Sequence, residues 1–187
     1  MRFLSLRSQQ VLIQIKRQLN QIIHAYLNIM NKLHQLNISY SNREDRLLLR
    51  ASTKDGDEYR LWLTRRFTRL LYDVLVKEMD KKGGVTAICS NEQTTKLFKN
   101  GAFEKPFKDD NVNFPLGESG IVAFSIKTGT DAEGTLTLEL HAEDGRGINL
   151  SLNNSLLYLF YSLLTQGINQ ANWQLHAGKE ITSQHIH

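Results

Sequence analysis

The residues best able to do chemistry are arginines gathered around one tryptophan: Arg46, Arg50, Arg60, Trp62, Arg65, Arg66 and Arg69. All fall within Asp45–Leu75, a stretch that reads as two strands, a tight turn and a helix. An indole on an exposed strand offers a flat face for a nucleobase, and guanidiniums beside it take phosphates or stack as cations; each stacked base contributes about 1–3 kcal/mol. The competing reading is a cross-strand apolar pair, Leu48 with Trp62, covered by another part of the chain. Arg65, Arg66 and Arg69 open the helix, where cations oppose the helix dipole at about 0.3–1 kcal/mol each. There they converge with free backbone N–H groups on an anion such as a phosphate. Alternatively Asp45, Asp57 or Glu58 neutralise them.

The strands position these side chains, and their register follows from alternation. Leu47, Leu49 and Ala51 share a face with Tyr59, Leu61 and Leu63 only if Leu49 lies opposite Leu61 and Thr53 opposite Asp57. The loop is then Lys54-Asp55-Gly56, with Gly56 in the left-handed conformation of a bulged hairpin. The other face carries Arg46, Leu48, Arg50 and Ser52 against Thr64, Trp62, Arg60 and Glu58. Thr64 is a good N-cap. Phe67, Leu70, Leu71, Val74 and Leu75 form the core stripe of the helix, which ends at Gly83-Gly84.

The unit occurs twice. Leu136–Leu164 lies over Leu47–Leu75 without a gap, matching leucines, the Asp-Gly turn and Tyr72 with Tyr161. The expected fold is α+β. Two strand-strand-strand-helix repeats build one mainly antiparallel six-stranded sheet with both helices on one face. Its strands are Leu36–Tyr40, Arg46–Thr53, Asp57–Thr64, Ile121–Lys127, Thr135–Ala142 and Arg146–Leu152. The second helix, capped by Asn153, is apolar all round and must be covered on more than one side. Residues 1–35 add an amphipathic helix whose Ile15, Leu19, Ile22, Tyr26, Ile29 and Leu33 recur at four, three, four, three, four. That stripe suits the chain's own core, a second copy or a membrane surface; Met30 is an alternative start. The divisions are thus 1–35, a first repeat 36–84, a linker 85–118 with a short helix at Asn91–Lys99 and Phe103, Phe107, Phe114 and Leu116 as anchors, a second repeat 119–173 and a tail 174–187. The repeats share one domain.

Composition narrows the class of function. The net charge of +4 resides in Arg2, Arg7, Lys16 and Arg17; beyond residue 30, Lys and Arg equal the 19 acidic side chains. A nucleic-acid reading therefore rests on local clustering rather than on pI. The single cysteine, Cys89, excludes a disulfide framework and points to the cytoplasm. No apolar run reaches the about 18 residues of a spanning helix. Glu139, His141 and Ser151 share the outer face of the second hairpin, with Ser151 too far along for a triad. His185 and His187 lack further ligands. We expect no enzyme activity, no cofactor and no metal.

Glu58–Phe67 (EYRLWLTRRF), Pro115–Glu118 (PLGE) and Gly145–Leu152 (GRGINLSL) resemble a family of small uncharacterised bacterial proteins, which brings no activity with it. The tandem plan is similar to single-strand-binding folds of the Pur-alpha, Whirly and positive-cofactor coactivator type, although those have four strands before each helix. This second likeness implies sheets that carry nucleic acid and helices that join repeats or subunits. The leading expectation is a non-catalytic single-stranded DNA- or RNA-binding protein using Arg46, Arg50, Arg60, Trp62, Arg65, Arg66 and Arg69. The alternative is an assembly module that dimerises through the 154–165 helix or the N-terminal helix, with Trp62 as an anchor.

Overall fold

A computed structural model describes residues 33–84, 107, 112–132 and 134–175. Its elements run β1 (Leu33–Ser41), β2 (Arg46–Thr53), β3 (Glu58–Leu63), α1 (Arg65–Asp80), β4 (Ile121–Val122), β5 (Ser125–Thr130), β6 (Leu136–His141), β7 (Gly147–Leu152) and α2 (Asn154–Gln170). The amphipathic stripe from Ile15 to Ile29, the 91–99 helix, Phe103, Cys89 and the His185/His187 pair lie outside the described residues, whereas Leu33, the last member of that stripe, opens β1, so the chain is already extended at 33–35 where the helix is expected to continue.

Local rules shape both hairpins. Leu49 pairs with Leu61, as alternation demands, and Leu138 pairs with Leu150. Thr53 N donates to Asp57 O at 2.9 Å, closing a three-residue loop in which Gly56 has φ 86°. In the second hairpin Ala142 N donates to Arg146 O at 2.7 Å, and Gly145 has φ 83°. Thr64 caps α1 by accepting from Phe67 N, and Asn153 caps α2 by accepting from Leu156 N. Tyr72 and Tyr161, 89 residues apart, touch at 3.1 Å between hydroxyls where the two helices meet.

The strands form two sheets rather than one of six strands. One has the order β1-β2-β3-β4 and the other β5-β6-β7. The expected strand 121–127 is divided. Ile121 and Val122 pair with β3, in parallel, and Ser125 begins the antiparallel pairing with β6. Between them Ala123 N donates to Trp62 O at 2.9 Å and Phe124 N to His141 O at 2.7 Å. Successive amides of an extended chain point to opposite sides, so this short segment holds one sheet with each.

Inward leucines from both sheets meet both helices in one buried cluster: Leu47, Leu49, Leu61 and Leu63 with Leu136, Leu138, Leu150 and Leu152, against Leu71, Leu75, Leu157, Phe160 and Leu164. The apolar α2 is covered on several sides, since it contacts β1, β7 and α1. Its 154–165 portion thus spends Leu157, Phe160 and Leu164 inside the core. α2 lies flush on the first sheet at Gly167, where an added Cβ would come within 3.1 Å of Ile38 and 3.2 Å of Leu47. The α1 core row is Phe67, Leu71, Leu75 and Met79. Leu70, expected within it, is 51% exposed. No helix of the described residues is long and apolar enough to cross a membrane.

Gly167→Leu should lower stability by about 1–3 kcal/mol through overpacking against Ile38 and Leu47. Chemical denaturation reads this as an earlier midpoint with unchanged slope; an unchanged midpoint would mean that α2 can move away from β1 freely.

Candidate functional site

β2 and β3 place Arg50 opposite Arg60 and Leu48 opposite Trp62 on their outer face. Between the guanidiniums lies Glu58, only 1% exposed. Its Oε1 accepts from Arg50 Nε and Arg60 Nε, each at 2.6 Å, and its Oε2 from Arg50 Nη2 at 3.0 Å. Burial pushes this carboxyl up, but the hydrogen bonds and charges of the two arginines outweigh it and hold its pKa below the ordinary value. One carboxylate thus faces two guanidiniums.

This face is covered. Phe107 lies 4.0 Å from Arg50 Cζ by its ring centroid, and Phe114 lies 4.5 Å from Arg60 Cζ. Arg60 Nη1 donates to Glu118 O at 2.7 Å, and Trp62 Nε1 donates to Ser119 O at 2.8 Å. Glu58 N donates to Asn113 O at 2.8 Å, beginning a parallel contact beside the hairpin turn. Gly120 fits because it has no side chain: with φ +75°, an added Cβ would stand 2.8 Å from both Cβ and O of Arg60. Phe107 and Val112–Gly120 thus form a strap over Arg50, Arg60 and Trp62.

The remaining site arginines gather at the other end of the hairpin. Arg46 precedes Leu47, whose partner Leu63 stands one residue before the N-cap of α1. Arg65 Nη2 donates to Trp173 O at 2.7 Å. Asp45, at φ 46°, accepts from Tyr40 OH at 2.8 Å and from Trp173 Nε1 at 3.2 Å. The hydrogen bonds from Tyr40 and then Trp173 lower its pKa. Asp45 therefore holds the tail of α2 rather than neutralising the arginines through a salt bridge. The side chains of Arg46, Arg66 and Arg69 make no hydrogen bond or ion pair to another described residue. Arg66 and Arg69 are exposed and, with Arg65, Gln174 and Leu175, line a cavity of about 380 Å³.

The second hairpin offers different chemistry. His141 is buried, and its Nε2 stands 4.0 Å from Glu139 Oε2. Burial lowers its pKa; Glu139 opposes that shift and Lys127 adds to it. Ser151 pairs with Thr137, two positions along β6 from Glu139, so the strand register does not bring it opposite His141.

Sequence reasoning missed an apolar groove. Phe67, Leu70, Val74, Phe124 and Ile126 line about 350 Å³ between α1 and β5, with Asp73 and Lys77 also in its wall. Phe124 is 68% exposed and Val122, close by in the chain, 42%. The available signal was an apolar stripe on α1 that is wider than one buried row. Compared with protein-family models, curated proteins and solved structures, the chain matches none.

Glu58→Ala would leave two guanidiniums facing each other without their carboxylate. Breaking a buried pair in this way costs about 3–5 kcal/mol, and the low end applies because Arg50 and Arg60 keep 14% and 23% exposure. A thermal or denaturant midpoint in the variant close to the parent's would overturn this. The pH dependence has two parts. Glu58, with a lowered folded pKa, contributes stability that is present above its ordinary 4.5 and lost as pH falls through the folded value. His141, also lowered, costs stability below its ordinary 6.5, where the unfolded chain takes up a proton that the buried ring resists. Stability should therefore fall first from about pH 6.5 downward, then more steeply below about 4.5. In a urea-midpoint series over pH, His141→Gln should flatten the upper limb alone.

Proposed function

We propose that this is a non-catalytic assembly module that pairs with a second copy through the groove between α1 and β5. The observation that carries this reading is the exposure of Leu70 and Phe124 in one apolar cleft. Large apolar groups left in water beside one another mark interaction surfaces. The cleft also carries Asp73 and Lys77, one helical turn apart on α1. A twofold axis across α1 would set each acid against the other copy's base, which is the self-complementarity an isologous interface requires. The same reading takes the two strand-strand-strand-helix units as an internal repeat about a pseudo-twofold between Tyr72 and Tyr161. The single Cys89 suits a cytoplasmic setting.

A second reading is single-stranded nucleic-acid binding. It is favoured by Arg46, Arg66 and Arg69, whose side chains make no hydrogen bond or ion pair to another described residue at the basic end of the β2–β3 hairpin. Phosphates would meet these side chains first, together with the open N–H groups of α1. The two readings use different surfaces, so either can hold without the other.

Light scattering over a range of protein concentration tests the first reading. The full chain should dimerise, and Leu70→Glu or Phe124→Glu should weaken association at least about tenfold. Asp73→Lys should weaken it, and adding Lys77→Asp should restore it. A full chain that stays monomeric at the highest soluble concentration sinks the proposal.

A further inference from the structure

The strap over β2–β3 does not hide its surface as ordinary packing would. Its rings lie on guanidiniums, Phe107 on Arg50 and Phe114 on Arg60. Its carbonyls at Glu118 and Ser119 accept from Arg60 Nη1 and Trp62 Nε1. Flat rings on cations and oxygen acceptors at side-chain donors are also what a single nucleic-acid strand presents, as bases and as phosphate or base oxygens. We propose that this face is a single-stranded nucleic-acid site and that the strap is its internal competitor, displaced when a strand binds. The proposal rests on the nucleic-acid reading above and assigns it a second, latent part.

The strap buries little apolar surface. Leu116 alone of Val112–Gly120 is buried, and Val112, Asn113, Pro115, Gly117, Glu118 and Ser119 are exposed. Apart from Leu116, what holds it is polar, namely backbone bonds to Gly56 and Glu58 and the contacts to Arg50, Arg60 and Trp62, and a strand that binds these side chains replaces part of that hold. Glu58 remains in place when the strap leaves, since β3 carries it and both arginines hold it. It keeps the guanidiniums side by side and cancels one of their two charges. A strand that has reached Arg46, Arg66 and Arg69 finds Trp62 next along β3, then Arg60, then Arg50 across on β2.

Two substitutions at one residue should act in opposite directions. Trp62→Phe keeps a stacking face but removes the donor that holds Ser119 O, so the strap loosens and the strand binds more tightly. Trp62→Ala removes the stacking face and weakens binding. A purely structural role for Trp62 predicts no gain from either.

The test is fluorescence anisotropy of a labelled oligothymidylate of about 16 nucleotides with the full chain, across a salt series. Phe107→Ala/Phe114→Ala should bind about tenfold more tightly than the parent, and Trp62→Phe should also gain. Thermal melts confirm folding; if the double variant does not fold, Trp62→Phe carries the test. If neither variant gains, while the parent binds with a steep salt dependence that Arg46→Ala/Arg66→Ala/Arg69→Ala removes, the strap is structural and this inference falls while the nucleic-acid reading stands. No binding by any form at low salt overturns both.

Discussion

A carboxylate cannot remain ionised inside a protein unless something replaces its water. Glu58 has lost nearly all of its own, and Arg50 and Arg60 supply three hydrogen bonds in exchange. Two long, flexible cations are thereby fixed in orientation on the outer face of a hairpin. Their flat faces are what Phe107 and Phe114 lie on, and the outward Nη1 of Arg60 is what Glu118 O meets. Without the buried acid, two like charges opposite each other would repel, and the strap would have no ordered surface to lie on.

The inner faces follow a simpler constraint. Leucines at every second position of four strands leave room for two helices and little else. α2 meets that limit with a glycine, Gly167, where it crosses Ile38 and Leu47. Eighty-nine residues earlier, the separation of Tyr72 from Tyr161, α1 carries Glu78, buried and paired with Lys81 at 2.6 Å. The two helices thus sit differently on their strands. α2 lies close on β1, whereas an open apolar groove remains between α1 and β5. The same asymmetry separates the outer faces, arginine and tryptophan on one hairpin, Glu139, His141 and Asn149 on the other.

What the amino-acid order made legible was local. Both hairpin registers, the Gly56 loop and the Thr64 and Asn153 caps depend on residues within a few positions of one another, and alternation and turn chemistry determine them. The division of the sheet was not legible. Ile121, Val122, Ala123 and Phe124 alternate between buried and exposed straight through the place where pairing passes from β3 to β6. Alternation records which face is wet, not which strand is the neighbour. The strap escaped for a different reason: a ring resting on a guanidinium leaves no periodic trace, and Phe114 is more than fifty positions from Arg60. Leu70 was misplaced because a helical period fits a groove wall as well as a core row.

The junction at Ala123 and Phe124 also bears on how the chain reaches this state. Each hairpin closes over a three-residue turn and can form early. The bond from Ala123 N to Trp62 O instead waits on closure of a long loop, whose entropy opposes it before any contact rewards it. Loop entropy thus favours joining the two halves after the hairpins form, and until they join the Leu61 and Leu138 rows are wet. During that interval the free edge of β3 and those of β5 and β7 can capture strands of other chains. A two-residue ladder and two backbone bonds thus carry the strand pairing from one sheet to the other, while the shared core and the packing of α2 on β1 and α1 hold the halves together.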